Sequence, residues 1–379
     1  MKTLLYFIFK ILKKIMILFR NQLSGLFLRV SRRVKILFKK KVNLNEGIEL
    51  NGRKPLSEFL IIRILGNDHY PVHSKDQTLN NLKFILKNEP VFKDCRKSFV
   101  LNRIVDKRRE QDLIDLLENY SMDYLRIPFE GDEYGKTGWR VEDFNGVEYF
   151  SSEKFHSKSA GIKKRQIIWA VAPKINYVMN INGARNMAID EGKRTANWTF
   201  VLDGNCIFKE NDFKVLSSEC NQKPFLPYMI IPFARLSGNS EYLDNDVIFN
   251  AKYEPQMGFH FTAKERFNLH LPYGVVDKAE LLKILGVPGK WTFWGDFPWQ
   301  KICFRRTDDR YLYKISKCMV LRLTSGSHGH ELPGTAQSRF QSRLDSIIGT
   351  IKYLTNRYGT ENEDFRSIIL SNRNLSLFE

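Results

Sequence analysis

Residues 180–205, NINGARNMAIDEGKRTANWTFVLDGN, change period halfway along, and that change decides the fold. From 180 to 196 the spacing predicts a helix capped near Asn182. Trp198, Phe200, Val201 and Leu202 then form a short, nearly continuous apolar run, the mark of a strand buried on both faces. The run ends abruptly in Asp203, Gly204 and Asn205. Asp, Gly and Asn are the usual formers of turns. The tripeptide is therefore either a plain turn or a chemical site at a strand end, and the neighbouring sequence must separate the two.

Working outward, the same alternation recurs. FLIIRILG (59–66) and KSFVLNRIV (97–105) read as strands, as does DYLRIPF (123–129). Between them, TLNNLKFILKNEP (78–90) and KRREQDLIDLLENY (107–120) have helical spacing, the first stopping at Pro90. Strand, helix, strand, helix, strand implies a parallel sheet built from right-handed crossovers. Residues 130–175 show no sustained period and read as an insertion or flexible loop region. YMIIPFARL (228–236) is a further strand, VDKAELLKILG (276–286) a helix closed by Gly286, and RFQSRLDSIIGTIKYLTNRY (339–358) a long helix docking on the body. The fold class is thus α/β, a Rossmann-type sandwich with a mostly parallel central sheet. A catalytic domain over 56–331 is expected, followed by a C-terminal helical extension over 332–379.

Charge separates the N-terminus from this body. Residues 1–45 hold twelve Lys and Arg and neither Asp nor Glu, which leaves only +6 of the +18 formal net charge for the rest. MKTLLYFIFKILKKIMILFR contains no uninterrupted apolar run of the roughly 18–20 residues that a bilayer requires. On a helical wheel Lys2, Lys10, Lys13, Lys14 and Arg20 share one arc, and Leu4, Leu5, Ile8, Ile11, Leu12, Ile15, Met16 and Phe19 the other. Such a helix lies in the interface of an anionic membrane surface rather than across it. Lysines in the apolar region and the lack of a small-residue cleavage site fit a signal peptide poorly. The expected location is peripheral, on the cytoplasmic face of a membrane. Nucleic acid is not expected as a partner, because the body carries too little charge. Five scattered cysteines, Cys95, Cys206, Cys220, Cys303 and Cys318, with no C-x-x-C pair, read as free thiols.

In a parallel α/β sheet, ligands collect at the carboxyl ends of the strands. Three strand ends carry polar clusters here: RILGND, NRIVDKR and LDGN. A carboxylate such as Asp203 beside a tightly turning glycine suits a hard divalent cation bridging phosphate oxygens, with Asn205 adding a neutral carbonyl. Arg185, on the preceding helix beside Asn186, has the guanidinium that phosphate recognition favours. His69 and His73 follow the first loop, and Trp291, Trp294 and Trp299 offer flat surfaces for a sugar or for the core.

ARNMAIDEGKRTANWTFVLDGN (184–205) resembles the segment leading into the DxD motif of GT-A nucleotide-sugar glycosyltransferases, of the family 2-like type that builds bacterial surface polysaccharide. FWGDFPWQKI (293–302) is similar to the segment holding the general base of inverting members. LTSGSHGHE (323–331) falls where several members place a histidine metal ligand. The resemblance implies a nucleotide-sugar donor contacted by Arg63, Asn67, Asp68, Asp106, Arg185, Asn186 and Asp203. It also implies a divalent cation, Mn2+ or Mg2+, on Asp203, Asn205 and His328, and Asp296 as the base acting on a glycan or glycolipid acceptor. The family's motif is acidic where Asn205 stands. That departure leaves three outcomes open: weaker metal binding, completion by a histidine, or neutralisation of the diphosphate by Lys and Arg. Two other functions stay open as well: a sugar-phosphate or nucleotidyl transferase on the same fold, and a membrane-bound sugar-binding scaffold without catalysis.

Overall fold

The computed structural model describes residues 55–68, 73–223, 226–244, 247–251, 254–271, 273, 278–289, 312–324, 336–359 and 367, with side chains of the last long helix from Ser346 onward. The basic tail, His69, the three tryptophans at 291, 294 and 299, Cys303, Asp296 and His328 lie outside the described residues.

The chain enters at β1 (Ser57–Leu65) and alternates through α1 (Gln77–Asn88), β2 (Cys95–Asn102), α2 (Lys107–Asn119) and β3 (Asp123–Ile127). There follow α3 (Gly131–Lys136), α4 (Glu153–His156), α5 (Ala160–Met179) and α6 (Ile181–Thr195), which leads into β4 (Ala196–Asp203). Next come β5 (Cys206–Ile207), α7 (Glu210–Gln222), β6 (Tyr228–Ile231), β7 (Phe233–Arg235) and β8 (Gln256–His260). The described chain ends with α8 (Ala279–Ile284), β9 (Tyr313–Ile315), β10 (Val320–Arg322) and α9 (Ala336–Tyr358).

The main sheet has the order β3-β2-β1-β4-β8-β6-β9. β1 pairs in parallel with both β2 and β4, and β2 with β3; only β8 runs against its neighbours β4 and β6. β6 and β9 are parallel again. The fold is therefore the α/β sandwich with a mostly parallel sheet that the sequence predicts. β1 is apolar without alternation because both of its faces are covered. Leu60, Ile62 and Ile64 pack with Ala184, Ala188 and Ile189 of α6, whereas Phe59 and Ile61 pack with Phe213 and Leu216 of α7. α6 comes close to the strand that follows it: a Cβ on Gly192 would stand 1.6 Å from Thr199 Oγ1, so the glycine inside that helix is a packing requirement.

Two expectations need correction. The run 228–236 is not one strand, because Pro232 lacks an N–H and cannot continue a ladder. β6 belongs to the main sheet, while β7 joins a small sheet of order β5-β10-β7. Residues 130–175 are not a loop region either, since α3, α4 and most of the twenty-residue α5 fall there. α5 buries Gln166, Ile167, Trp169, Ala170, Val171, Ala172, Lys174, Ile175 and Val178, and contains Pro173. A helix covered on nearly every side leaves no amphipathic period to read.

α9 docks on this helical layer as its spacing predicts. Ile347, Ile348, Ile351 and Leu354 join Tyr134, Phe150, Phe155, Trp169 and Val178 in one buried cluster. Tyr134 Oη contacts Thr355 Oγ1 at 2.8 Å and donates to the Ile351 carbonyl at 3.2 Å. Burial pushes the Tyr134 hydroxyl above its usual titration range. Ile351→Ala should cost about 2–5 kcal/mol in denaturant unfolding, the usual penalty for a cavity at a fully buried aliphatic site. A loss under about 1 kcal/mol would show that α9 is not part of the cooperative unit.

Candidate active site at the carboxyl edge of the sheet

Parallel pairing of β2, β1 and β4 brings the three polar strand ends together on one edge. A cavity of about 780 Å³ opens there, lined by Gly66, Asn67 and Asp68 after β1, by Ile104, Val105 and Asp106 after β2, and by residues of α1 and α2. Thr350, Tyr353, Arg357 and Tyr358 of α9 form a further wall. Its size falls within the roughly 300–1,000 Å³ typical of small-molecule sites. Leu79, Ile104 and Leu113 give it apolar surface, while acids and arginines alternate around the rim.

The polar side chains of this cavity also build its walls. Asn67 donates to the Arg103 carbonyl and accepts from the Val105 N–H, each at 2.8 Å, tying the first loop to the second. Asp68 accepts from the Thr78 N–H (2.9 Å) and hydroxyl (2.6 Å) and pairs with Arg109 at 3.4 Å. Burial nonetheless raises its carboxyl above the ordinary value, the Thr78 bonds and Arg109 offsetting only part of that. Asp106 caps α2 by accepting from the N–H groups of Arg108 and Arg109. Arg109 also reaches Asp76 at 3.3 Å and Asp106 at 3.7 Å, so one guanidinium organises three carboxylates. His73 does not line the cavity.

Asp203 does not line it either. It lies one strand over, level with Ile64 of β1. A Cβ on Gly204 would stand 2.5 Å from the Ile64 carbonyl, which explains the glycine: the turn presses against the backbone of β1. The Asp203 carboxylate is ringed by cations, with Arg185 at 3.3 Å, Lys278 at 3.9 Å and Arg322 at 4.0 Å. Gln256, buried on β8, donates to it at 3.2 Å and accepts from the Asp203 N–H at 3.3 Å. Burial works against ionisation, but Lys278, Arg185, Arg322 and the Gln256 bond more than offset it, holding the carboxyl well below the usual range. Arg185 is steadied by Asn182 Oδ1 at 3.1 Å and by the Phe267 ring.

Other residues expected at the site are engaged elsewhere. Arg63 is 0% exposed, pairs with Glu89 and donates to the Cys206 carbonyl at 2.7 Å. It points into the sandwich and is not a nucleotide contact. Asn186 exchanges two 2.9 Å bonds with the Phe267 backbone, which leaves it a clamp between α6 and the segment after β8. The Asn205 side-chain NH2 donates to the Leu323 carbonyl at 3.3 Å, and the Asn205 backbone carbonyl accepts from the Leu323 N–H at 2.8 Å, anchoring the segment after β10. A divalent cation fits this donor set poorly, because the carboxylate of Asp203 is already surrounded by positive charge. Among the described residues no cluster of three or more His, Cys, Asp or Glu is placed to hold a metal ion.

Lys278, Gln256 and Arg322 are absent from the sequence reading because their partner is far away along the chain. One signal was present. Arg322 interrupts the apolar run MVLRLT, as Arg63 interrupts FLIIRIL, and an arginine within such a run implies a buried counter-ion.

No protein-family model and no curated protein matches the sequence. Among solved structures the chain is similar to S. aureus TarS, at 9% identity and a TM-score of 0.35, covering 84% of this chain and 44% of that one. It is also similar to the mannosyltransferase PcManGT from Pyrobaculum calidifontis in complex with GDP-Man and Mn2+, at 10% identity and a TM-score of 0.35, covering 86% and 72%. GalNAc-T7 with UDP, GalNAc and Mn2+ matches at 8% identity and a TM-score of 0.38, covering 84% and 56%. The chain thus spans less than half the length of the TarS structure. At such identities those proteins' side chains say nothing about the ones at this edge.

Asp203→Asn removes the anion that three cations share. It should lower unfolding free energy by about 3 kcal/mol at neutral pH, the order expected when buried charges lose their partner. Denaturant titration of both proteins at low salt measures this, and equal midpoints would show that the carboxylate is not the hub.

Proposed function

We propose that the chain is a GT-A-like glycosyltransferase moving a sugar from a nucleotide-sugar to a hydroxyl of a membrane-associated glycan or glycolipid. The observation that carries the reading is the pairing of two features on one sheet edge. One is a partly apolar cavity with a carboxylate-bearing rim, sized for a nucleoside. The other, one strand away, is a cationic cluster suited to a diphosphate. Asp106, with its carboxylate half exposed on the rim, can meet a ribose hydroxyl while Asp68 braces the loop beside it, and Tyr353, 56% exposed on the cavity wall, offers a ring for a base to stack on.

In the reaction, the acceptor oxygen attacks the anomeric carbon while the bond from that carbon to the diphosphate oxygen breaks. Negative charge grows on the departing nucleoside diphosphate. Cations already fixed around Asp203 offset it without rearranging, which is electrostatic preorganisation. Asp296, assigned from FWGDFPW, takes the acceptor proton, and attack opposite the leaving group inverts the anomeric centre. Residues 1–45 hold the enzyme on an anionic membrane surface at the cytoplasmic face, where a lipid-linked acceptor lies.

Incubation with a panel of nucleotide-sugars and membrane extract should release a nucleoside diphosphate. Release of a monophosphate or pyrophosphate would instead identify a phosphate-transfer enzyme, and donor binding without turnover would identify a scaffold. Asp296→Asn should cut turnover about 10²–10⁴-fold with donor affinity retained. Deleting residues 1–45 should abolish sedimentation with vesicles of acidic phospholipid, and unchanged sedimentation would remove the tail from the proposal.

A further inference from the structure

Among the described residues where β4 ends, three cations, Arg185, Lys278 and Arg322, face Asp203, and Lys278 has Glu254 at 3.6 Å as a second partner, so three cations stand against two carboxylates there. A divalent cation set beside Asp203 would add two positive charges to a cluster that is already cationic. At these separations in a poorly solvated site the repulsion is strong. An anion would do the reverse.

Unused hydrogen-bonding capacity points the same way. Lys278 is 7% exposed on its side chain, yet its ammonium lies 3.6 and 3.9 Å from its two carboxylates, beyond hydrogen-bond length. An ammonium withdrawn from water needs acceptors for its protons. Arg322 Nε is buried and has no hydrogen-bond partner among the described residues, and the guanidinium's ion pair with Asp203 is long. Arg63 and Lys97 also share one carboxylate, that of Glu89, and there the carbonyls of Cys206 and Pro90 each take a donor at 2.7 Å, although Arg63 Nη1 is itself without a hydrogen-bond partner among the described residues. Lys278 and Arg322 make no backbone-carbonyl bond of that kind among the described residues.

We propose that Lys278 and Arg322 bind the phosphate oxygens of a nucleoside diphosphate directly, without a divalent metal, and that Asp203 is the internal counter-ion holding these cations in place. The nucleoside part of this ligand rests on the glycosyltransferase reading; the phosphate part rests on the charge and donor count alone.

Calorimetry on the full-length protein tests it, with pyrophosphate, UDP and GDP as probes, each in EDTA and in Mn2+. Pyrophosphate should bind in EDTA with a Kd within about threefold of that in Mn2+. Lys278→Gln and Arg322→Gln should each weaken it at least about tenfold, as expected for loss of a charge-assisted contact. Lys214→Gln, on the exposed face of α7, should leave it unchanged. Binding that disappears in EDTA and returns with Mn2+ would overturn the proposal. So would the absence of pyrophosphate binding under both conditions, or unchanged affinity in both site variants. The EDTA comparison uses the unaltered protein and stands even where a variant folds poorly. If pyrophosphate binds without metal and neither UDP nor GDP binds more tightly, the phosphate site stands and the nucleotide-sugar reading fails. If a nucleoside diphosphate binds only with Mn2+, the reverse holds.

Discussion

The structure depends on β1 lying between two parallel neighbours with both faces covered. Ile64 of β1 stands opposite Asp203 of β4, and Gly204 turns against the Ile64 carbonyl with no room for a side chain. That pairing puts the loops after β1, β2 and β4 on one edge. It also leaves the polar groups just inside that edge short of water. Every charge placed there must therefore find its partner within the protein or in a ligand.

The protein meets this demand in two ways at neighbouring places. On the α7 side of the sheet, Arg63 and Glu89 form a pair sealed from solvent and completed by Lys97, backbone carbonyls and the Phe208 N–H, which Glu89 accepts at 2.9 Å. That cluster is shut off from solvent and braces the sheet. On the edge itself, Asp203 stays 21% exposed and its cations keep longer contacts. Similar chemistry there is left open on one side. Between them, the Asn67 and Asp106 tethers fix the rim of the cavity, so its carboxylates are positioned before any ligand arrives.

Much of this was legible in the sequence wherever burial left a pattern. The β1 run, the α1 and α2 spacing and the docking face of α9 each follow from apolar residues at the period their element requires. Asp203 was legible as the carboxylate at the end of a buried strand, because the apolar run 198–202 stops there on Asp-Gly-Asn. What the sequence hid has a physical cause in each case. α5 is buried on nearly every side and carries a proline, so its helical period is masked. β8 is a short strand running against its neighbours, reached through irregular chain. Arg63, Asn186 and Asn205 are residue types that recognise ligands and brace folds equally well, and only their partners distinguish the two uses. Lys278 and Arg322 meet Asp203 through tertiary contact, to which no local spacing corresponds.

The carboxylate at the mouth of β4 is best understood through the cations that it gathers. Three positive groups drawn together without it would repel one another by about 4 kcal/mol per pair at 4 Å and an effective dielectric near 20. They would splay toward water and lose any common focus. With Asp203 among them, and Gln256 fixing its orientation from β8, they remain converged while the site is empty. In the proposed reaction a diphosphate would meet donors whose reorganisation was completed during folding, which is the condition under which electrostatic stabilisation of a leaving group is largest. The glycine then sets the depth of the carboxylate against β1, and the asparagine ties down the strand that delivers Arg322. Asp, Gly and Asn at this turn serve a single arrangement: an anion held inside the protein with its cations converged on it.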